Sequence, residues 1–205
     1  MFVALIAAGA IAPLHAAAGV VIPHRIVHQV GLDCEAAAAE GLLSTIGSGL
    51  TQGQIQAALP VDLRPAEWDA AHRSVVRWGD PWSTFVGSVT GSEPAFTGYG
   101  VYAPTLAATV ASLGVRVAPQ TGVDPWLLYA NVSAGRAAVV WVIAGLGTPA
   151  PRTWTSWTGQ TVVYAVGEHA ETLVGIDPAA GTVTLMNPED GRDEVASMAR
   201  FEASF

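Results

Sequence analysis

One cysteine, Cys34, stands in the run His28-Gln29-Val30-Gly31-Leu32-Asp33-Cys34-Glu35-Ala36. An ionised thiol is a strong nucleophile, but an ordinary thiol is mostly protonated near neutral pH and needs a base beside it. His169, in Gly167-Glu168-His169-Ala170-Glu171, can supply that base, and Asn187, in Met186-Asn187-Pro188, can hold the imidazole in one orientation. Gln29 carries an amide that could donate to the oxygen of a tetrahedral intermediate, with the Cys34 backbone N–H as second donor. A thiol, an imidazole, an amide orienter and an oxyanion donor make up the machinery of acyl transfer.

Each member has a plainer reading. A single cysteine is more often a small core residue. His169 alone could be a half-buried strand histidine, Asn187 before a proline is an ordinary turn residue, and Gln29 alone says little. The other histidines fit a base less well. His15 lies in an apolar N-terminal run, His24 and His28 precede the cysteine in a short segment, and His72 lies in a polar stretch. Asp33 and Glu35 flank the thiol and would raise its pKa, so activation has to come chiefly from a paired base. Glu168 reads as a solvated charge at a strand end.

The elements around these residues follow from local pattern. Asp33 is a good N-cap, and the small residues from Ala36 to Ala39 predict a helix from Cys34 to about Ile46, stopped by Gly47. Its first turn would aim positive partial charge at the thiol. Further helices are expected over 51–58, from Pro65, over 104–113 and over 125–133. Strands are expected over 115–117, 137–143, 161–166, 169–176 and 182–186. The segment 79–102 reads as a long ordered loop and 144–160 as loop, and 79–102 with the Trp154–Trp157 stretch are the candidate walls of a cleft. In an antiparallel hairpin turning through Asp177-Pro178-Ala179-Ala180-Gly181, His169 and Asn187 fall on one face of the sheet. Helices first and an antiparallel sheet after make an α+β domain.

The 205 residues suffice for one domain, and 51% hydrophobic against 13% charged residues excludes a disordered chain. The net charge of −8, with scattered arginines, argues against nucleic-acid binding. No metal-ligating spacing and no phosphate-cradling loop is present, so neither a metal nor another cofactor is expected. Residues 1–22 are apolar and Ala-rich, and end near the small-residue pattern Ala16-Ala17-Ala18, which reads as a signal peptide or N-terminal anchor that would contact a membrane before processing. The usual basic residue ahead of the apolar run is missing, and a buried N-terminal strand is the competing reading. The folded domain would then be residues 23–205, extracytoplasmic and monomeric.

In order, Gln29…Asp33-Cys34-Glu35, Gly79-Asp80-Pro81…Phe85-Val86-Gly87, Gly98-Tyr99-Gly100-Val101-Tyr102, Val139-Val140-Trp141-Val142 and Glu168-His169…Asn187-Pro188…Gly191 resemble the C39-like cysteine peptidase family. These papain-like proteins are related to the bacteriocin-leader peptidase domains of ABC transporters. The resemblance implies a papain-like fold with N-terminal helices packed on a C-terminal sheet. It implies Cys34 as nucleophile, His169 as base, Asn187 where the family often has Asp, and Gln29 as the oxyanion glutamine. Glu35 stands where leader peptidases usually have Gly, and Gln29 is one residue closer to the cysteine than in that branch. The expected activity is a thiol-dependent hydrolase acting on a peptide or protein substrate. A cell-wall amidase or acyltransferase on the same fold, or a non-catalytic binding module, are the alternatives.

Overall fold

Alanine decides how close the helix that carries the cysteine can come to its neighbours. The computed structural model describes residues 3–7, 19–71 and 74–205. In it α1 (Cys34–Ser44) is buried at every position from Cys34 to Leu43. Four consecutive alanines and Gly41 keep the helix thin, so its backbone reaches the sheet: Thr172 Oγ1 donates to the Ala38 carbonyl at 2.7 Å. A Cβ on Gly41 would lie 2.4 Å from the Met186 methyl carbon.

The remaining elements follow in chain order. Ahead of α1 are β1 (Val3–Ala7) and β2 (Val20–Val21). After it come α2 (Gln52–Ala58), β3 (Val61–Asp62), β4 (Glu67–Trp68), β5 (Val75–Trp78), β6 (Phe85–Gly87) and β7 (Gly98–Gly100). Then come α3 (Ala103–Ser112), β8 (Val117–Thr121), α4 (Pro125–Ser133), β9 (Ala138–Ile143) and a 3-10 turn at Ala144–Leu146. The chain closes with β10 (Pro151–Ser156), β11 (Thr161–Ala165), β12 (Glu168–Asp177), β13 (Thr182–Asn187), β14 (Arg192–Ser197) and α5 (Met198–Ser204).

The main sheet runs β14-β13-β12-β9-β1-β8, with β2 added beside β12. All its pairings are antiparallel. The α+β expectation therefore holds, but the sheet is not purely C-terminal, because β1, β2 and β8 come from the first two thirds of the chain. Val3–Ala7, inside the apolar N-terminal run, forms a strand between β8 and β9, with Ala4 and Leu5 fully buried. Removal of a leader would take this strand with it. Residues 1–2 and 8–18 of that run, with His15 and the Ala16-Ala17-Ala18 pattern, and His72 lie outside the described residues.

Aromatic residues account for most of the other departures from expectation. The segment 144–160 is not a loop throughout. β10 pairs with β11 and β5, and buries Trp154 in a second small core with Trp78, Val86 and Tyr164. Trp154 donates its indole N–H to the Gly79 carbonyl at 2.7 Å. Around Pro65 the chain forms β4 rather than a helix, because Trp68 packs edge-on against Phe96 at 5.2 Å. Within 79–102, β6 and β7 pair with each other. The helix expected over 125–133 starts where Asp124 accepts the Trp126 N–H. Among the described residues no helix is long and apolar enough to cross a membrane.

Candidate active site

Cys34 opens α1, yet the residue before it does not cap the helix through its side chain. Asp33 instead accepts the Val30 N–H at 2.6 Å and closes the loop between Gln29 and the helix. The first turn still directs its free N–H groups toward the thiol side of the helix. The thiol donates to Glu35 Oε2 at 3.4 Å. Burial pushes its pKa well above the ordinary value, the Glu35 carboxyl beside it adds to the rise, and the Ala170 N–H, aimed at the sulfur, opposes both.

Glu35 is itself buried, and its other oxygen, Oε1, accepts the Val101 N–H at 2.8 Å. The glycine-rich motif before Val101 has a physical reason here. Gly100 has φ +147, and a Cβ on it would fall 2.0 Å from Glu35 Oε1. Only a residue without a side chain lets the strand close onto the carboxyl. Beyond it, Glu168 accepts from the hydroxyls of Tyr99 and Tyr102, the latter at 3.0 Å. Burial raises the pKa of the Glu168 carboxyl. The expectation that Glu168 is a solvated strand-end charge is thus replaced by a half-buried carboxyl held by the hydroxyls of Tyr102, which is buried, and Tyr99, which is half-buried. A small hollow lies between Cys34 and Glu35 on one side and Glu168, Tyr102 and Trp141 on the other. Tyr102, Trp141 and Glu168 also line a neighbouring cleft with Val163 and Phe205. Of the segment expected to wall a cleft, Tyr102 lines this one, while Trp154 is committed to the second core.

On the next strand the structure brings His169 and Asn187 together. His169 Nε2 lies 2.9 Å from Asn187 Oδ1, both side chains buried. This pairing depends on a bulge. Next to the hairpin turn the register is Asp177↔Thr182 and Ile176↔Val183; continued unchanged it would set Asn187 opposite Thr172, on the face away from His169. Between Gly175 and Leu173 the register shifts by one residue, so that Leu173 faces Leu185 and Thr172 faces Met186. Asn187 then shares a face with Glu171 and His169. Gly175 makes room for the bulge, since a Cβ there would come within 2.9 Å of both Thr184 and Val21.

Burial lowers the pKa of His169, and the Asn187 bond works against that. Because Asn187 engages Nε2, the ring nitrogen left to meet a thiol is Nδ1. Cys34 meets the N–H of Ala170, one peptide along from His169; the two side chains share no hydrogen bond among the described residues. Gln29 is tied to the same end of the site by its backbone, whose N–H donates to the Pro188 carbonyl at 2.9 Å. Its side-chain amide donates to Gly31 O at 2.8 Å, and its Oε1 is buried without a partner. Glu171, on the inner face with His169, is fully buried with both carboxyl oxygens unpartnered and Oε1 4.0 Å from His169 Nε2.

Compared with solved structures, the chain is similar to a Bacillus anthracis crystal structure assigned as a C39-like peptidase. The TM-score is 0.74 at 23% identity, with 91% of each chain covered. The fold is that of a C39-like peptidase. No family model matches the chain, and no curated protein matches it. Identity this low carries the fold rather than the chemistry. The papain-like α+β arrangement expected from the sequence is the one observed. Within the C39-like fold, sequence reasoning missed Glu35 as a partner of the thiol, the Glu168–Tyr99–Tyr102 cluster and the buried carboxyl of Glu171. For Glu171 the signal was available: strand alternation puts an acid two residues from His169 on a face that must be buried.

Proposed function

We propose that the chain is a thiol-dependent peptidase that cleaves peptide or amide bonds. The observation that carries this reading is the buried His169–Asn187 bond at 2.9 Å on the strand whose Ala170 N–H meets the Cys34 thiol. Cys34 attacks the carbonyl carbon, His169 Nδ1 takes the thiol proton and later gives it to the leaving amine, and Asn187 holds the ring. Thiol and imidazole are both neutral at rest, because burial raises one pKa and lowers the other. The nucleophile therefore forms as the substrate reacts, not as a standing ion pair. The Cys34 N–H and a reoriented Gln29 amide stabilise the oxyanion. The cleft lined by Tyr102, Trp141, Val163 and Phe205 beside the thiol is the subsite assigned to an apolar side chain of the substrate.

The test is iodoacetamide labelling of Cys34 against pH in wild type and His169→Ala, alongside turnover of a peptide library and of peptidoglycan. Labelling that is assisted by the imidazole, and therefore slower in His169→Ala than in wild type below pH 8, is expected, with library cleavage abolished by Cys34→Ala. Full cleavage by Cys34→Ala sinks the mechanism; slow labelling unaffected by His169→Ala points to a binding module. Release of peptidoglycan stem peptides in place of library cleavage makes the enzyme a cell-wall amidase. Export is proposed from the apolar run 2–22, and sequencing the N-terminus of the secreted protein distinguishes a removed leader from a retained β1.

A further inference from the structure

We propose that Glu35 is a further catalytic residue, acting as a neutral carboxylic acid that donates its Oε2–H to the Cys34 sulfur when the thiol proton leaves. The inference rests on the reading of Cys34 as nucleophile and His169 as base. As Sγ attacks, the S–H bond breaks and its proton goes to His169 Nδ1. The Sγ–C bond forms and the carbonyl π pair moves to the oxygen. Glu35 keeps its own proton throughout and shares it with the developing thiolate.

Three observations converge on this role. Glu35 Oε2 is 3.4 Å from Sγ, in direct reach of the reacting atom. Oε1 is fixed by the Val101 N–H at 2.8 Å, which leaves Oε2 as the oxygen to carry a proton toward the sulfur. Gly100 is shaped around the carboxyl, so its position is built rather than incidental. A carboxylate at this place would oppose the thiolate, whereas a carboxylic acid supports it. The surroundings favour the acid form. Burial raises the Glu35 pKa to about 8, and Glu168 across the hollow adds to the rise. The other ionisable groups on this side are Tyr99 and Tyr102, both held neutral by burial, and Asp33, whose charge acts on Cys34.

Rates of Cys34 labelling by iodoacetamide from pH 5 to 10 test this in wild type, Glu35→Gln and Glu35→Met. Gln keeps an acceptor for the Val101 N–H and offers an N–H to the sulfur without a proton to lose. Wild type is expected to label in two steps with pH, as a coupled pair does. Glu35→Gln should label in a single step, no faster than wild type at pH 7 and up to about tenfold faster above pH 8, where the wild-type carboxyl ionises and opposes the thiolate. Glu35→Met, of similar volume but without a donor, should label about 10- to 100-fold slower than wild type at pH 7. A Met variant as fast as wild type, or a Gln variant faster than wild type at pH 7 or still two-step, overturns the proposal. Near-UV circular dichroism verifies folding, and the Gln comparison stands even where the Met variant fails to fold. If His169→Ala leaves the wild-type rate unchanged, the Cys–His reading fails instead, whatever the order of the Glu35 variants.

Discussion

Glu171→Gln should stabilise this protein, and by an amount that grows with pH. The Glu171 carboxyl is fully buried, its two oxygens have no hydrogen-bond partner, and burial raises its pKa from 4.5 to about 8. Glu194, Glu189 and Asp190 add to the rise. Between those two values the folded chain keeps the proton and the unfolded chain releases it, so stability falls as pH rises. From pH 6 to pH 8 the loss from this one group is about 2 kcal/mol. Glu35 and Glu93, raised to about 8 and about 7, act in the same direction, so wild type alone cannot isolate Glu171. The comparison with Glu171→Gln can, because the amide does not titrate and any packing change is a constant offset. Urea unfolding followed by tryptophan fluorescence at pH 6, 7 and 8 should show the two midpoints drawing apart by about 1 M across that range. Parallel midpoints would mean that Glu171 is ionised or solvated in the folded protein, and the reasoning from its burial would be refuted.

Other substitutions probe the geometry around the thiol and the imidazole. Asn187→Ala removes the 2.9 Å partner of His169 Nε2; turnover should fall on the order of 100-fold through loss of orientation. Asn187→Asp, by placing a carboxylate there, should raise the His169 pKa and move the acid limb of the pH–rate profile to higher pH, read from kcat/KM. Gly100→Ala drives a Cβ to within 2.0 Å of Glu35 Oε1, and thermal melting should register a loss of about 2 kcal/mol or more together with altered Cys34 labelling. Gly175→Val crowds Thr184 and Val21 at the bulge, and the imidazole Nε2–H signal in NMR should move as the Asn187 bond is lost; an unmoved signal would show that the bulge does not set that bond.

What could be read from the sequence here was the set of short-range patterns. Small residues after Cys34 announced a helix able to lie close on a sheet, and α1 does so through Ala38 and Gly41. Alternation in two strands brought His169 and Asn187 to one face. That agreement has a subtler cause than alternation alone. The hairpin turns in a register that would separate them, and the bulge at Val174 restores the match. A bulge leaves little trace in a single sequence beyond a glycine, and Gly175 is one among 22. Asp33 illustrates the opposite case, a residue with the right type and place for a cap whose carboxylate is drawn to Val30 instead.

The residues that sequence reasoning could not weigh are those whose meaning lies in a distant partner. Glu35 read as an obstacle to thiolate formation, since a carboxylate next to a thiol repels the second negative charge. Its protonation state is set first by burial, which raises its pKa; the Val101 N–H, 66 residues away, opposes that rise and the carboxyl of Glu168 adds to it. The same holds for Glu168, which sequence makes a surface charge and which Tyr99 and Tyr102 make a half-buried acceptor. A Gly-Tyr-Gly-Val-Tyr motif with no reacting group of its own thus fixes the electrostatics of the site. It packs Val101 against one carboxyl and turns two phenols to the other. In this chain the acid beside the cysteine is a functional element only because that motif folds over it, and replacing Gly100 or Tyr102 tests the site as directly as replacing Cys34.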